Sequence, residues 1–566
     1  MLAILLSNIF IFSPQTVYIT NIGQFTVSLF AILKICLIPV LGLLLIFYPV
    51  SKLIPDARST RYAAVLAMLS MLVWIQGNIL LWEYGLLDGK SIVWSDYEWR
   101  GWFDGSLWTA AILITCWYKH VANIAIRGAI FIFILQLLTA SYTSIQNWNL
   151  IHKEYQISGN EKLTEIFNFS PTSNVLHLVV DGFQSDVFDE LVHHETLKDR
   201  YKKSFQGFEY YRETLGVFPY TIFAVPAFLA GELYSNQSPK DQFIDDVLKG
   251  KTILSAAKKA GYQIDLATGG GYMGNRYANL PFNNLYNLDN IASVGAELKD
   301  PVVALELSLF RASPHFLKRY IYNDQKWLLS QFLFGEEFYK FGYFSHTYFL
   351  NKFIQEMKVE RSAPVYKYLH VMNTHNPIVV DDHCQYSGKP SSMTRASLTT
   401  QAYCTLDTLV RLLDRMKEMG VYDNTLIIIH GDHGGWVPNY RQGPPATLVS
   451  GDKAPEWMTS LASPLLLIKK PNEKTPFRIS DIYASLLDIP ATIADTMDWE
   501  ADFKYQSLEM LKTSGPGTRE RYFRFYFWQR DAWEADYTNP IQEFRIDGSH
   551  YETEWKLARV IYPPQH

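Results

Sequence analysis

Long apolar runs are concentrated at the start of the chain. Five of them approach the ~20 residues that a helix needs to cross a membrane: residues 1–13, 24–50, 62–83, 105–118 and 123–143. Beyond them, short apolar runs alternate with polar loops, glycine and proline. The pattern predicts a transmembrane domain over 1–143, a juxtamembrane linker over 144–173 and a further domain over 174–566.

The loops between the apolar runs differ in basic residues. Lys52, Arg58 and Arg61 follow the second run, and Lys119 and Arg127 follow the fourth, whereas the other loops are uncharged or mostly acidic. Because basic loops stay on the cytoplasmic side, the N-terminus is expected inside. Everything after residue 143 is then expected outside.

The domain after the linker carries continuous apolar runs such as "VLHLVV", "YQIDLAT" and "TLIIIHG", separated by helical stretches at 241–260 and 400–420. Continuous rather than alternating apolar strands indicate a sheet that is covered on both faces, so an α/β fold is predicted. An aromatic C-terminal segment, at about 519–566, predicts the strands of a smaller sheet.

Charge and cysteine content narrow the functional classes. The 566 residues carry a net charge of -5 and no lysine or arginine block, which excludes a nucleic-acid partner. Cys384 and Cys404 lie in the domain predicted outside, where a disulfide is expected. Two unpaired thiols are the alternative.

Two predicted strands end on side chains that bind metals. "VLHLVV" ends on Asp181, and "TLIII" ends on His430, Asp432 and His433, surrounded by glycines. Ligands collect outside the carboxyl ends of strands in α/β sheets, and glycines let a metal approach the backbone closely. Carboxylate and imidazole suit zinc or manganese, and a tetrahedral site needs one more donor.

The missing donor is expected to be a nucleophile as well. In "GVFPYTIFAVPAFLAG", Thr221 precedes a predicted helix, whose free N–H groups and positive end favour an anion such as phosphate. Metal coordination would lower the pKa of the hydroxyl and activate it.

Four segments, "VVDGFQSD", "TIFAVPAFLAG", "LHVMNTHNP" and "HGDHG", occur in this order. In combination they resemble the alkaline phosphatase superfamily, in its sulfatase-like branch, and especially its membrane-anchored phosphoethanolamine and phosphoglycerol transferases. The resemblance implies a mixed, mostly parallel central sheet covered by helices, preceded by a five-helix transmembrane bundle. It also implies one divalent metal ion, zinc or manganese.

The resemblance also assigns residues. It makes Thr221 the nucleophile and a metal ligand together with Asp181, Asp432 and His433, and it makes His375 a substrate-binding residue. Cys384 and Cys404 stand where relatives have a disulfide.

Two departures from relatives matter. A Cys/Ser-x-Pro-x-Arg motif, which sulfatases need, does not surround Thr221, so sulfate ester cleavage is the weaker expectation. Relatives with a second zinc have a histidine soon after "GDHG", but none follows His433 before His550. One tightly held metal is therefore expected, with Arg441 as a phosphate contact in the vacant region.

The expected function is transfer of a phosphoethanolamine or phosphoglycerol group from a membrane phospholipid to an envelope glycan or lipopolysaccharide, through a phosphothreonine. The protein is expected in the bacterial inner membrane, with its catalytic domain on the periplasmic side. A sulfatase-like hydrolase, either a phosphodiesterase or a sulfuric ester hydrolase, is one alternative. An inactive domain that binds glycan or partners is another.

Simpler interpretations exist for each residue. Asp432 and His433 could be a polar strand end, Asp181 a turn residue, Thr221 a helix cap and His375 a loop histidine. For His430 a buried supporting role is favoured over metal ligation. The glycine-rich run 269–275 is interpreted as a loop near the site.

Overall fold

The computed structural model describes residues 1–21, 25, 27–84, 92–151, 163–269, 273, 276–288, 296–323, 326–334, 336–441, 446–513, 519–528 and 535–564. The chain forms two compact units. The first comprises Met1–Gln156 and Ser293–Tyr339, and the second comprises Ile157–Ala292 and Lys340–His566.

The described helices are α1 (Leu2–Thr20), α2 (Leu29–Lys52), α3 (Asp56–Asn78), α4 (Glu98–Trp117), α5 (Lys119–Gln146), α6 (Trp148–Ile151), α7 (Ser185–His193), α8 (Lys198–Ser204), α9 (Thr221–Ala230), α10 (Lys240–Lys249), α11 (Ile253–Lys259), α12 (Ala296–Ala312), α13 (His315–Tyr322), α14 (Leu328–Phe334), α15 (Glu336–Gln355), α16 (Arg395–Glu418), α17 (Trp457–Leu461), α18 (Ile489–Thr496) and α19 (Leu508–Thr513). The described strands are β1 (Asn168–Phe169), β2 (Asn174–Val180), β3 (Phe208–Tyr211), β4 (Gln263–Thr268), β5 (Asn284–Asn287), β6 (Lys358–Val359), β7 (Val365–Val371), β8 (Ile378–Val380), β9 (Tyr386–Ser391), β10 (Thr425–His430), β11 (Leu466–Lys469), β12 (Arg478–Ser480), β13 (Glu520–Phe525), β14 (Ile541–Asp547) and β15 (Lys556–Ile561).

The first unit is helical. Helix α3 packs against α4 and α5, and the fully buried alanines Ala67 and Ala125 let α3 and α5 approach closely. Helix α1 continues past Pro14, after a π-helical turn at Asn8–Phe12, and is therefore longer than the predicted run 1–13.

Three helices of the described residues, α1, α2 and α5, are long and apolar enough to cross a membrane. They support membrane anchoring of the chain. Helix α3 ends at Asn78, before the end of the predicted run 62–83, and α4 ends at Trp117, one residue before the end of the predicted run 105–118. Neither helix is among the three that are apolar enough to cross a membrane. The count of five spans therefore stays a prediction.

Residues 293–339 belong to the first unit, although the sequence analysis assigned them to the domain over 174–566. Helix α12 packs against α1, α2 and α3, where Ala304 is fully buried. Glu306 and Arg311 interrupt the apolar pattern of this helix, so the sequence did not mark it as a partner of the membrane helices.

The second unit is built on an eight-stranded sheet in the order β12-β3-β11-β10-β2-β7-β4-β5. Strand β11 runs antiparallel to both of its neighbours, and the other pairings are parallel. The sheet is mixed and mostly parallel, with helices around it, as predicted.

Strand β2 shows why its apolar run is continuous. Leu176 and Leu178 belong to one hydrophobic core, and Val175 and Val179 belong to another. Successive side chains of a strand point to opposite faces, so this strand is buried on both sides of the sheet. Strand β2 runs parallel to its neighbours β10 and β7, so the three strands end at the same edge of the sheet.

The aromatic C-terminal segment forms a three-stranded antiparallel sheet, β13-β14-β15. Phe523, Phe544 and Trp555 form a third hydrophobic core there, together with Leu461 of α17. These aromatic residues are therefore explained by packing. Residues 152–162 of the predicted linker lie outside the described residues.

Candidate metal centre and nucleophile

Two adjacent parallel strands deliver the central carboxylates. Residue His430 at the end of β10 pairs with Val179 of β2, so both strands end at the same level. Asp181 directly follows β2, and Asp432 and His433 follow β10 by two and three residues. The sheet thus brings together side chains that lie far apart in the sequence.

Asp181, Asp432 and His433 form a buried cluster. Each offers one ligand atom, and these atoms lie within 4.8 Å of one another. The three residues are 4%, 0% and 1% exposed. Burial of two carboxylates beside each other is costly unless an opposite charge compensates them.

The atoms that face the centre of this cluster are all acceptors. His433 donates from Nδ1 to the Gly434 carbonyl at 2.7 Å, which leaves a lone pair on Nε2. That nitrogen lies 3.6 Å from Asp181 Oδ1 and 3.5 Å from Asp432 Oδ2. Both oxygens are buried and accept no hydrogen bond from the described residues. These donor atoms fit a divalent cation.

Asp432 is oriented by the backbone of the neighbouring loop. The Gly182 N–H donates to Asp432 Oδ1 at 3.1 Å. This bond leaves Oδ2 as the free oxygen on the side of Asp181 and His433. The local turn after β2 therefore positions a ligand that belongs to β10.

Thr221 reaches the cluster from helix α9. Its Oγ1 donates to Asp181 Oδ2 at 3.3 Å. Thr221 is the first residue of α9, no side chain caps the helix, and the residue is partly exposed. The uncapped N–H groups of the first turn thus stand beside a reachable hydroxyl, which suits an incoming phosphate group.

His370 is a residue that the sequence analysis missed. Its Nε2 lies 3.5 Å from Asp181 Oδ2 and has no hydrogen-bond partner among the described residues. Its Nδ1 lies 2.7 Å from the Tyr277 hydroxyl. The sequence places His370 only near the end of an apolar run, and the pairing of His370 with Val179 across parallel strands, which brings it to the same sheet edge, is seen only in the structure.

His375 lies in the loop after β7. Its Nδ1 is 2.6 Å from the Asn376 carbonyl oxygen, and its ring contacts Trp436 with centroids 5.6 Å apart. The same tryptophan contacts His433, with centroids 5.5 Å apart. Trp436 thus connects the predicted substrate-binding histidine to the cluster.

The imidazoles set the charge of the cluster. Burial alone raises the pKa of Asp181, but nearby His375, His370 and His433 outweigh it and hold that pKa well below its usual range. Burial lowers the pKa of His433, but the carboxylates of Asp432 and Asp181 outweigh burial and raise it. Asp181 is therefore ionised and can bind a cation.

His430 supports the loop instead of facing the cluster. It donates from Nδ1 to the Gly431 carbonyl at 2.8 Å, so its Nε2 accepts from His177 Nε2 at 2.8 Å. His177 Nδ1 then accepts from the Tyr366 hydroxyl at 2.7 Å. Burial lowers the pKa of His430 to about 4. This neutral chain of hydrogen bonds anchors the residue that precedes the "GDHG" loop.

The glycines of this loop are required by close contacts. A Cβ on Gly434 would lie 1.8 Å from the Ser460 carbonyl oxygen. A Cβ on Gly431 would lie 2.8 Å from the Phe183 carbonyl oxygen. The loop is therefore pressed against backbone on both sides, which holds Asp432 and His433 in place.

Arg441 is held by its own partners. Its Nη2 lies 3.0 Å from Glu213 Oε1, and its guanidinium stacks on Tyr551 at 4.1 Å from the ring centroid. Buried His550 lies beside the same glutamate, 3.5 Å from Oε2. A phosphate contact of Arg441 stays a prediction.

The predicted disulfide is present. Cys384 and Cys404 are bonded, with their Cα atoms 5.3 Å apart. The bond ties the loop after β8 to α16. Most of the glycine-rich run 269–275 lies outside the described residues.

Residues 173–499 match the sulfatase family model, whereas no curated protein sequence matches the chain. Similar solved structures include lipoteichoic acid synthase LtaP from Listeria monocytogenes, with 11% identity, coverage of 67% of this chain and 85% of that chain, and a TM-score of 0.40.

The C-terminal periplasmic domain of EptC from Escherichia coli has 11% identity, coverage of 57% and 82%, and a TM-score of 0.33. A protein in the alkaline phosphatase superfamily from Vibrio parahaemolyticus has 12% identity, coverage of 68% and 79%, and a TM-score of 0.37. The matched region contains Asp181, Thr221, Asp432 and His433. The chain belongs to the sulfatase family.

Proposed function

We propose that the protein transfers a phosphoethanolamine or phosphoglycerol group from a membrane phospholipid to an envelope glycan or lipopolysaccharide. The observation that carries this proposal is the contact of Thr221 with Asp181. A reachable hydroxyl at an uncapped helix start lies 3.3 Å from a carboxylate of a buried, acceptor-only cluster. Such an arrangement suits a nucleophile that is phosphorylated during turnover.

The first half-reaction forms a phosphothreonine. The Thr221 oxygen attacks the phosphorus of the phospholipid diester, and the bond from phosphorus to the diacylglycerol oxygen breaks. The threonine proton leaves along the hydrogen bond to Asp181. It ends on the departing diacylglycerol oxygen, which becomes an alcohol. The N–H groups at the start of α9 stabilise the phosphoryl oxygens.

A divalent cation bound by Asp181, Asp432, His433 and Thr221 would supply positive charge that neutralises the transferred group and lowers the pKa of the nucleophile. Zinc and manganese both fit this donor set of carboxylate, imidazole and hydroxyl. Backbone hydrogen bonds hold two of these side chains in place before any substrate arrives. The Gly182 N–H orients Asp432, and the Gly434 carbonyl orients His433.

The second half-reaction releases the group. A sugar hydroxyl attacks the phosphorus of the phosphothreonine, and the bond from phosphorus to the Thr221 oxygen breaks. The proton that the sugar hydroxyl loses is taken up by the Thr221 oxygen. His375, partly exposed beside Trp436, is proposed to orient the phosphate or to assist this proton transfer. Arg441 is proposed as a further phosphate contact.

Membrane anchoring supports a lipid donor, since an anchored enzyme and its lipid meet in two dimensions. The Cys384–Cys404 disulfide supports an oxidising compartment for the second unit, which carries Thr221 and is called the catalytic unit below. Together with the loop charges, these features support an inner-membrane protein whose catalytic unit faces the periplasm.

The test is intact-protein mass spectrometry of the full chain after incubation with phosphatidylethanolamine or phosphatidylglycerol in detergent. We expect an adduct with the mass of the donated phosphoryl head group on Thr221, and none on Thr221→Ala. Adding a glycan acceptor should remove the adduct and label the glycan.

Turnover of a soluble phosphodiester with no labelled glycan would contradict the transferase proposal and favour the hydrolase. The absence of any adduct from both lipids, with the metal bound, would contradict a phosphothreonine intermediate altogether.

A further inference from the structure

A cavity of about 260 Å³, lined by both polar and apolar side chains, lies within the first unit. Three membrane-domain helices line it, each through its C-terminal part: residues 8–20 of α1, 73–78 of α3 and 135–143 of α5. Helix α12 completes the lining with Arg311 and Ala312. In the topology predicted from the loop charges, these helix ends all lie on the outer side of the membrane.

The wall of this cavity is unusually polar for membrane helices. Polar side chains within a bilayer are costly, and they normally face a binding site or water-filled space. Asn8 and Gln136 are joined by a hydrogen bond of 3.0 Å, and Gln15 bonds to Ser144 at 2.8 Å. These bonds fix the helices around the cavity and leave hydroxyl and amide groups on its surface.

Arg311 supplies the charge of the cavity. Its Nε donates to the Gly77 carbonyl at 2.6 Å, and no ion pair joins it to a carboxylate of the described residues. No aspartate or glutamate is among the described lining residues. The cavity thus presents a guanidinium with unused N–H groups, which match the oxygens of a phosphate.

Part of the lining is apolar. Phe12, Ile19, Val73 and Leu135 face the same cavity. The volume is below the ~300–1,000 Å³ of pockets for drug-sized ligands. A head group with the first atoms of its acyl chains therefore fits better than a whole lipid.

We propose that this cavity is a phospholipid-binding site, in which Arg311 binds the phosphate and the apolar lining holds the start of the acyl chains. The site rests on membrane anchoring and on these contacts, and it does not depend on which group the catalytic unit transfers. A free inorganic phosphate shares the anionic chemistry but has no use for the apolar wall.

The test is isothermal titration of the full chain in an uncharged detergent, with Thr221→Ala as the background so that the probe is not consumed. The probes are dihexanoyl phosphatidylglycerol, dihexanoyl phosphatidylethanolamine, dihexanoylglycerol and inorganic phosphate. We expect both phospholipids to bind. Dihexanoylglycerol and inorganic phosphate should each bind at least about tenfold more weakly.

Arg311→Gln should weaken phospholipid binding by about 10- to 100-fold, because a charge-assisted hydrogen bond is lost. The matched control is Arg319→Gln, which removes an exposed arginine from neighbouring α13 and should leave the affinity unchanged. Ala140→Phe narrows the cavity without changing its charge and should also weaken binding. It serves as the second variant should Arg311→Gln lower the melting temperature.

Equal phospholipid affinity in Arg311→Gln, Ala140→Phe and the control would overturn the site. Equally tight binding of inorganic phosphate would overturn the lipid as its ligand, and equally tight dihexanoylglycerol would overturn the role of Arg311. Intact binding in a protein that never forms a phosphothreonine would instead contradict the proposed function and leave this site standing.

Discussion

The Thr221 hydroxyl donates a 3.3 Å hydrogen bond to Asp181, forty residues earlier in the chain. This contact joins the start of α9 to the end of β2. It places the one hydroxyl of the cluster against a carboxylate whose other oxygen has no hydrogen-bond partner among the described residues. The chemistry of the site therefore depends first on that hydroxyl.

Replacing Thr221 by valine removes the hydroxyl and keeps a similar shape. We expect turnover of a phosphodiester to fall by a factor on the order of 10³ or more, since the covalent step is lost. Thr221→Ser should retain measurable activity. Thr513→Val, at an exposed position of α19, is the control and should retain full activity. Comparable rates for the valine variant and the control would exclude Thr221 as the nucleophile.

Metal binding should require the acceptor-only cluster. Asp432→Asn and His433→Ala should lose bound metal in elemental analysis, whereas Asp452→Asn, at an exposed position, should keep one ion per chain. Zinc at 100 times its dissociation constant should stabilise the wild-type chain by about 2.7 kcal/mol. A zinc-induced rise in melting temperature that persists in His433→Ala would place the ion elsewhere.

Metal affinity should fall with falling pH. Without metal, Asp432 and Asp181 raise the pKa of His433, so a metal must displace a proton from this residue once the pH drops below that pKa. Affinity is thus full above the raised pKa of His433 and is lost below it. Titration calorimetry across pH 5–8 measures this slope. Affinity that is constant over that range would contradict ligation by His433.

The buried hydrogen-bond chain behind the loop should behave as a unit. His177→Leu leaves His430 Nε2 without its donor, and we expect a cost of about 1–3 kcal/mol. The double variant His177→Leu/His430→Leu removes both partners and should cost less than the sum of the single variants. Thermal unfolding of all three variants measures the coupling. Strictly additive losses would show that the two rings do not stabilise each other.

Reduction should weaken the catalytic unit. The Cys384–Cys404 bond closes a loop of about 20 residues, so its loss should cost about 3 kcal/mol. Cys384→Ser/Cys404→Ser should therefore melt at a lower temperature than the wild type. The control is Cys116→Ala, which removes a free thiol. Equal melting temperatures for the double variant and the control would show that the bond does not contribute to stability.

The sequence predicted that Asp181, Asp432 and His433 lie together, because strand ends are visible in it. Asp181 and Asp432 follow continuous apolar runs, and short runs of this kind are typical of buried strands in a covered sheet. The family resemblance supplied Thr221, which no periodicity distinguishes from an ordinary helix cap. The disulfide was expected because its two cysteines lie in the domain predicted outside and because the family resemblance implies it.

The sequence could not show which histidines turn toward the cluster. His370 lies inside the apolar run of β7, and only the pairing of β7 with β2 reveals that it faces Asp181. The grouping of 293–339 with the membrane helices was missed for a similar reason. The partners of α12 lie more than 200 residues away, and its charged residues hide the apolar face.

Chain order has a consequence for biogenesis. Gly182 and Asp432 are separated by 250 residues, yet a hydrogen bond between them orients one of the proposed metal ligands. Synthesis must therefore reach residue 433 before the complete cluster can form. A polypeptide truncated ahead of β10 would lack Asp432 and His433 and would keep only Asp181 of the three clustered side chains.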